Sequence, residues 1–225
     1  MIPWVKLDTA RIPGTVEELR LMRRGAEFSI MLGTNELMNS RLSGSEAALA
    51  TLAAKKLEAI KKPHLLIGGL GMGFTLRAAL AVLGSGARIV VAELVPAVVA
   101  WARGPMAEIF GDSLNDPRLS IRETDVSEII RSSASKFDAI LLDVDNGPEG
   151  LTRKANDALY SSAGLNAAYV ALRPGGVLAV WSSGPNAAFS KRLRGAGFDV
   201  NEVAIRATGK GVGARHVIWI ATKEK

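Results

Sequence analysis

The sequence of 225 residues contains no cysteine and only two histidines. Without cysteine, disulfide bonds and thiolate metal sites are impossible, and we expect a cytoplasmic protein. His64 and His216 lie far apart, and no HExxH motif is present, so we expect no metal site. No apolar run approaches the ~20 residues that cross a bilayer. The first residues contain an aspartate and two prolines, so we expect neither a signal peptide nor a membrane partner.

Aromatic residues are also few, at 5% of the chain, while charged residues are mostly basic. The sequence has 28 Lys plus Arg against 22 Asp plus Glu, for a net charge of +6. A basic protein often has an anionic partner. Here the cations are dispersed, with few aromatic residues between them, which favours a solvated basic surface over nucleic-acid binding.

Short apolar runs alternate with helix-length segments from residue 64 onward. This alternation predicts βαβ units and a parallel sheet that is buried on both faces. The predicted strands are 64–68, 87–93, 119–123, 137–143 and 176–182. The last two apolar runs, 198–205 and 214–222, depart from this rhythm and predict an antiparallel hairpin at the C-terminus.

The chain before residue 64 has a different pattern. Segments 27–33 and 36–42 predict a β-hairpin outside the main sheet, and segment 43–61 predicts an amphipathic helix. Ser43 and Glu46 have the spacing of a capping box at the start of that helix. We therefore expect two units, a β-hairpin region over residues 1–45 and a Rossmann-like domain over residues 46–225.

A glycine-rich loop follows the first predicted strand of the main sheet. Gly69, Gly71 and Gly73 stand between that strand and a predicted helix, where the backbone must turn tightly and approach a ligand closely. A dinucleotide loop, G-x-G-x-x-G, would place Phe74 at its last small position. The observed spacing instead indicates a loop of the S-adenosylmethionine-binding type.

Two acidic residues follow later strands of the sheet. Glu93 ends the second strand, 20 residues after Gly73, where a carboxylate can accept hydrogen bonds from both ribose hydroxyls. Asp125 lies just after the third strand. It could accept a hydrogen bond from an adenine amino group, or it could cap the helix that starts near Val126.

Four segments together resemble the spermidine synthase family, a branch of the class I S-adenosylmethionine-dependent methyltransferase superfamily. They are GGLGMGFTLR (68–77), VVAELVPAVV (90–99), the turn at Asp125 and FDAILLDVDNGP (137–148). The resemblance implies a Rossmann-like α/β fold with a mostly parallel seven-stranded sheet, an antiparallel C-terminal hairpin and a small N-terminal β-hairpin. It also implies a homodimer formed through the N-terminal region.

The family transfers an aminopropyl group from decarboxylated S-adenosylmethionine to a polyamine. By resemblance, Asp143 is the catalytic proton acceptor. Glu46, Asp145 and Asn146 are the implied substrate-binding residues, although the capping box is an alternative role for Glu46. The partner that the resemblance implies is a small-molecule amine.

Two positions depart from the family pattern. Met72 stands where the family usually has an aspartate that contacts the donor's amine, and Asn146 stands at the position of a second acid, with Asp145 one residue away. Two alternatives therefore remain open. One is a methyltransferase that uses ordinary S-adenosylmethionine on an unknown acceptor, and the other is a non-catalytic adenosyl-binding protein.

Overall fold

The computed structural model of the protein describes residues 2–144, 148, 158–207 and 213–224. It begins with a four-stranded antiparallel sheet in which the strands are neighbours in sequence order. These strands are β1 (Val5–Arg11), β2 (Glu18–Arg24), β3 (Glu27–Leu32) and β4 (Asn35–Asn39). The predicted hairpin corresponds to β3 and β4, and it is half of a larger sheet.

Strands β1 and β2 give little sequence signal because neither contains an apolar run. β1 is exposed along nearly its whole length, and β2 alternates buried Leu19 and Leu21 with partly exposed, mainly charged residues. The buried leucines face the rest of the protein, so β2 is a half-buried strand of the alternating type. The N-terminal unit is therefore a sheet with one face on the core.

The main sheet has seven strands in the spatial order β10-β11-β9-β8-β5-β6-β7, and β11 runs antiparallel to the other six. This confirms the predicted fold class. Its strands are β5 (His64–Gly68), β6 (Arg88–Glu93), β7 (Leu119–Glu123), β8 (Phe137–Leu142), β9 (Leu172–Ser182), β10 (Phe198–Arg206) and β11 (Arg215–Lys223).

Helices cover both faces of this sheet. They are α1 (Gly44–Lys55), α2 (Phe74–Val82), α3 (Pro96–Arg103), α4 (Ala107–Phe110), α5 (Val126–Arg131), α6 (Ser162–Ala171) and α7 (Ala187–Gly195). In β5, Leu65 and Ile67 pack on the side of α1, α2 and α3, whereas Leu66 packs on the side of α5, α6 and α7. This alternation explains why the strand is apolar throughout. Within the described residues, no helix is long and apolar enough to span a membrane.

Helix α1 differs from its prediction in length and in its cap. It ends at Lys55 rather than near residue 61, and the Ser43 side chain makes no capping hydrogen bond. The predicted capping box is therefore wrong. The Glu46 carboxylate accepts a hydrogen bond from the Ser45 hydroxyl instead, at 2.7 Å, which leaves Glu46 available to line a cavity.

The N-terminal sheet packs directly on the main domain. The Trp101 indole Nε1 on α3 donates to Oδ2 of Asp8 on β1, at 2.7 Å. Ile12 and Leu19 belong to the same apolar core as the buried residues of α3. Trp101, like Trp181 and Trp219, is buried. These contacts hold the N-terminal sheet beside the carboxyl ends of the parallel strands.

Candidate active site

Four of the predicted site residues lie at one edge of the main sheet, where its parallel strands end. Gly69 follows β5, Glu93 ends β6, Asp125 follows β7 and Asp143 follows β8. The chain crosses from one side of β5 to the other, because β6 and β8 are its two neighbours. Such a reversal opens a crevice at the carboxyl ends of the strands, which is the usual ligand site of open α/β sheets.

The glycine loop has a left-handed backbone at all three predicted glycines, with φ of 90°, 49° and 74° at Gly69, Gly71 and Gly73. A Cβ atom at Gly69 would lie 2.6 Å from the carbonyl oxygen of Asp143, and one at Gly73 would overlap the Phe110 ring. These two glycines are required by the protein's own packing. Gly71 also lines the crevice, but a Cβ atom there would meet only the Met38 side chain, whose sulfur would lie at 3.0 Å.

Glu93 fastens the glycine loop to the end of β6. Its Oε2 accepts the N–H of Leu70 at 2.9 Å, and its Oε1 accepts the N–H of Val95 at 2.8 Å. Burial raises the pKa of Glu93 above its ordinary value, against these backbone hydrogen bonds, which lower it. Each carboxylate oxygen can accept a second hydrogen bond, so Glu93 can hold the loop and still receive a ligand hydroxyl.

Asp125 caps helix α5, as one of its two predicted roles requires. Its Oδ1 accepts the N–H of Ser127 at 2.8 Å. The residue also lines the crevice together with Val126. Capping therefore accounts for one oxygen of Asp125 without removing the side chain from the ligand site.

The crevice consists of two adjoining cavities, which we call the first and the second cavity. The first lies between the N-terminal sheet and the strand ends. Its lining residues are Ile12, Leu19, Leu37, Met38, Gly69, Gly71, Ala92, Glu93, Leu94, Val95, Val98, Asp125, Val126, Asp143 and Val144. Apart from three carboxylates, its wall is almost entirely apolar. It suits a flat, largely apolar ring system that carries a few hydrogen-bonding groups.

The second cavity lies between β4, the start of α1 and the glycine loop. Its lining residues are Leu37, Met38, Asn39, Glu46, Leu70, Gly71, Met72, Gly73, Phe74, Asp143 and Trp181. The two cavities share four residues, namely Leu37, Met38, Gly71 and Asp143. Asp143 is therefore the only titratable residue that faces both cavities among the described residues.

The Asp143 carboxyl group has a pKa near neutral, which suits proton transfer. Burial and, to a smaller extent, the nearby Glu46 charge raise its pKa, a hydrogen bond from Thr75 lowers it, and the net pKa is about 7. Thr75 Oγ1 lies 2.6 Å from Oδ2 of Asp143. A carboxyl group with this pKa can exist in either protonation state at neutral pH, as a general base requires.

Two predicted substrate residues, Asp145 and Asn146, lie outside the described residues. Glu46 is described, and it lies at the second cavity beside Asp143. Met72 is 3% exposed and lines the same cavity. At this position the protein therefore presents a thioether where the resembled family has a carboxylate.

Outside this crevice, the described part of the chain offers no comparable set of groups. The described residues contain no cluster of three or more metal-ligating side chains. An open groove beside β7 is lined by several basic residues, among them Arg88, Arg122 and Lys136. None of the predicted site residues lies in it, so we place the candidate active site in the two adjoining cavities.

Solved structures resemble this chain, although no protein-family model and no curated protein matches its sequence. A spermidine synthase in complex with the transition state analogue AdoDATO has a TM-score of 0.74 at 18% identity, over 97% of this chain and 72% of that one. Spermidine synthase from Thermotoga maritima has a TM-score of 0.75, with the same identity and coverage.

A third structure, a probable spermidine synthase from Corynebacterium glutamicum ATCC 13032, has a TM-score of 0.65 at 14% identity, over 97% of this chain and 79% of that one. The chain has the fold of the spermidine synthases. The similarity includes the N-terminal sheet, since nearly the whole chain is covered. At these identities the likeness concerns the fold, and the chemistry has to be argued from the residues.

Sequence reasoning missed several residues of the site. Thr75 lies in the first turn of α2, directly after the glycine loop. Because that helix starts at the ends of the parallel strands, a contact between Thr75 and Asp143 could have been expected from the sequence. Leu37 and Met38 lie on β4, and they line both cavities on the side of the N-terminal sheet. Nothing in the sequence indicates that this hairpin folds over the crevice.

Proposed function

We propose that the protein transfers an aminopropyl group from decarboxylated S-adenosylmethionine to a small amine. The observation that carries this proposal is the position of Asp143, which faces both adjoining cavities. One cavity would hold the adenosyl donor and the other the amine. The reaction joins two molecules, so its proton acceptor has to lie where they meet.

The donor is assigned to the first cavity because of its lining. Glu93 would accept hydrogen bonds from the ribose hydroxyls, and Asp125 one from the adenine amino group. Gly71 would let the backbone approach the sulfonium end of the donor. The adenine ring would lie against apolar residues such as Ile12 of the N-terminal unit and Val126 of α5.

The chemistry is a displacement at carbon. The lone pair of the amine nitrogen forms a bond to the aminopropyl carbon that is attached to sulfur. The carbon–sulfur bond breaks with its electrons moving to the sulfonium, which leaves as the neutral thioether methylthioadenosine. The proton that blocks this lone pair in the ammonium form of the acceptor passes to Asp143 before the bond forms. The nitrogen regains its positive charge in the displacement and stays an ammonium in the product.

Asp143 is suited to this step by its environment. An alkyl ammonium resembles lysine, with a pKa of about 10.4, and is not nucleophilic until it is deprotonated. A buried carboxylate beside the nitrogen can hold the ammonium, take its proton and align the lone pair. The raised pKa of Asp143, about 7, brings the acid and the amine closer in proton affinity.

A methyltransferase is the second candidate, and Met72 favours it. The wall of the second cavity carries a buried thioether at this position. A thioether neither binds the donor's ammonium group nor repels the carboxylate of ordinary S-adenosylmethionine. In that case the methyl group is transferred and S-adenosylhomocysteine is the product.

The remaining expectations from the sequence and from the resemblance stay proposals. They are a role in polyamine biosynthesis, a cytoplasmic location, a homodimer, and substrate contacts by Asp145 and Asn146.

The test is to identify the nucleoside product. Purified protein is incubated with decarboxylated or ordinary S-adenosylmethionine, together with putrescine, spermidine or cadaverine, and the nucleosides are separated by chromatography. Methylthioadenosine that forms only with the decarboxylated donor and an amine is the expected result. S-adenosylhomocysteine from the ordinary donor would establish methyl transfer instead. With neither product, the proposal of aminopropyl transfer fails.

A further inference from the structure

A chain of hydrogen bonds runs from the C-terminal hairpin to the second cavity. On β11, Nδ1 of His216 lies 2.9 Å from Oγ of Ser45, at the start of α1. The Ser45 hydroxyl in turn lies 2.7 Å from Oε2 of Glu46. Glu46 lines the second cavity. Three side chains from two distant parts of the sequence thus form one connected network.

The direction of each hydrogen bond follows from the number of protons. A carboxylate oxygen only accepts, so the single Ser45 proton is donated to Glu46. The Ser45 oxygen must then accept from His216, and the hydrogen of the neutral imidazole therefore lies on Nδ1. Burial lowers the pKa of His216 below its ordinary value, although the Glu46 charge opposes this shift, so the neutral ring is favoured.

The network is held by packing at its serine and at its histidine. Ser45 has no exposed surface, and the His216 ring packs edge-on against Trp181, with 4.8 Å between the ring centroids. Trp181 itself lines the second cavity. A glutamate side chain has three rotatable bonds and loses much conformational freedom when it is fixed. The hydrogen bond from Ser45 holds this one before any ligand arrives.

Glu46 and Asp143 are close enough to interact. The charge of Glu46 raises the pKa of Asp143. Thr75 Oγ1 contacts both residues, at 3.2 Å from the backbone carbonyl oxygen of Glu46 and 2.6 Å from Oδ2 of Asp143. The other walls of the cavity are mostly apolar, with Met72 and Phe74 among them. A cationic group that enters the cavity therefore meets two carboxylates, those of Glu46 and Asp143.

We propose that His216 and Ser45 are positioning residues, which hold the Glu46 carboxylate so that it binds the ammonium group of the acceptor beside Asp143. This inference rests on the proposed function in one respect, namely that an amine enters the second cavity. Glu46 is then the anchor and Asp143 the proton acceptor. The two acids have separate roles because the hydrogen-bond network from His216 holds Glu46 and does not include Asp143.

The variants are chosen to separate positioning from packing. Ser45→Ala removes the middle of the network. His216→Phe keeps a ring against Trp181 but has no Nδ1, whereas His216→Asn places an amide N–H near the former Nδ1 position. The matched control is His64→Phe, because His64 is also a half-buried strand histidine that packs on an aromatic ring, with 4.9 Å between its centroid and that of Phe137.

The binding experiment uses full-length protein saturated with methylthioadenosine, and putrescine is titrated in by calorimetry. We expect Ser45→Ala and His216→Phe to weaken putrescine binding about tenfold, which is the effect of one hydrogen bond to a charged group. His216→Asn and His64→Phe should bind as the wild type does, and methylthioadenosine affinity should not change in any variant. Equal putrescine affinity in all variants, or no binding to the wild type, overturns the inference.

Kinetic and spectroscopic measurements separate this inference from the proposed function. If aminopropyl transfer occurs, Ser45→Ala raises KM for the amine with little change in kcat, while a fall in kcat alone contradicts the anchor role. If no transfer occurs, the binding result still tests the network. Nitrogen-15 NMR of the ring should find the Nδ1–H tautomer at His216, and the Nε2–H tautomer would overturn the assignment.

Discussion

The hydroxyl group of Thr75 lies between the Asp143 carboxylate, at 2.6 Å, and the backbone carbonyl of Glu46, at 3.2 Å. A hydroxyl has one proton and can donate only one hydrogen bond at full strength. When Asp143 is charged, the proton of Thr75 is donated to it. When Asp143 is protonated, it can donate to Thr75, which then donates to the carbonyl. Proton uptake by Asp143 therefore reverses this hydrogen bond rather than breaking it.

Replacing Thr75 by valine tests this relationship. The hydrogen bond from Thr75 lowers the pKa of Asp143, so its loss leaves burial and the Glu46 charge to raise that pKa further. Activity that depends on the charged carboxylate should then rise at a higher pH than in the wild type. The measurement is kcat/KM as a function of pH, with Thr75→Ser as the control that keeps the hydroxyl. An unchanged profile in Thr75→Val would show that the two groups are not coupled.

Asp143 should also lower the stability of the folded protein at neutral and alkaline pH. In the unfolded chain its proton is lost near pH 3.8, and in the folded protein near pH 7. Between these values the folded state binds more protons than the unfolded state, so stability falls as the pH rises and stays low above pH 7.

Asp143→Asn removes the loss of stability that ionisation of the buried carboxyl group causes, and it keeps an oxygen that can accept a hydrogen bond from Thr75. We expect the variant to be more stable than the wild type at pH 8, by up to about 4 kcal/mol, with little difference at pH 4. Urea unfolding at the two pH values measures the effect. A variant that is less stable at pH 8 would contradict the raised pKa.

Glu93 should contribute both to the stability of the glycine loop, which it holds through the N–H of Leu70, and to donor binding. Glu93→Gln can still accept one backbone hydrogen bond, but its amide group would face the other N–H as a second donor. We expect about tenfold weaker binding of methylthioadenosine, the cost of one hydrogen bond to a charged group, together with a lower Tm. Calorimetry and thermal unfolding measure the two effects. Wild-type affinity in a folded variant would mean that the adenosyl site lies elsewhere.

The two roles of Asp125 can be separated by choosing the replacement. Serine is also a good N-cap residue, but its side chain is too short to reach far into the first cavity, whereas alanine loses both functions. Asp125→Ser should keep the wild-type unfolding free energy and bind methylthioadenosine more weakly. Asp125→Ala should also lose about 1 kcal/mol of stability. If Asp125→Ser binds normally, Asp125 is only a helix cap.

The main sheet could be predicted from the sequence because its strands are buried on both faces. Unbroken apolar runs occupy residues 65–68 in β5, 139–142 in β8 and 177–181 in β9, and the glycine loop, Glu93 and Asp143 each lie at a strand end. The order of such elements along the chain is enough to bring them to one edge of the sheet. No knowledge of side-chain packing is needed for that step.

Contacts between distant segments could not be predicted in the same way. The network from His216 to Glu46 depends on how α1 lies against β11, and 171 residues separate its histidine from Ser45. Strand β1 was missed because its exposed residues carry no periodic apolar signal, and the capping box at Ser43 was wrong because the spacing is compatible with other hydrogen bonds. Local patterns specify elements, while the site depends on how they pack.

The most direct test of the account is the turnover of Asp143→Asn with decarboxylated S-adenosylmethionine and putrescine, measured as methylthioadenosine formed, alongside its affinity for methylthioadenosine. If Asp143 is the proton acceptor, kcat falls about 10²-fold or more. Nucleoside affinity then stays within about twofold of the wild type, since its other contacts remain. Wild-type turnover in this variant would contradict the role of Asp143 and, with it, the proposed mechanism.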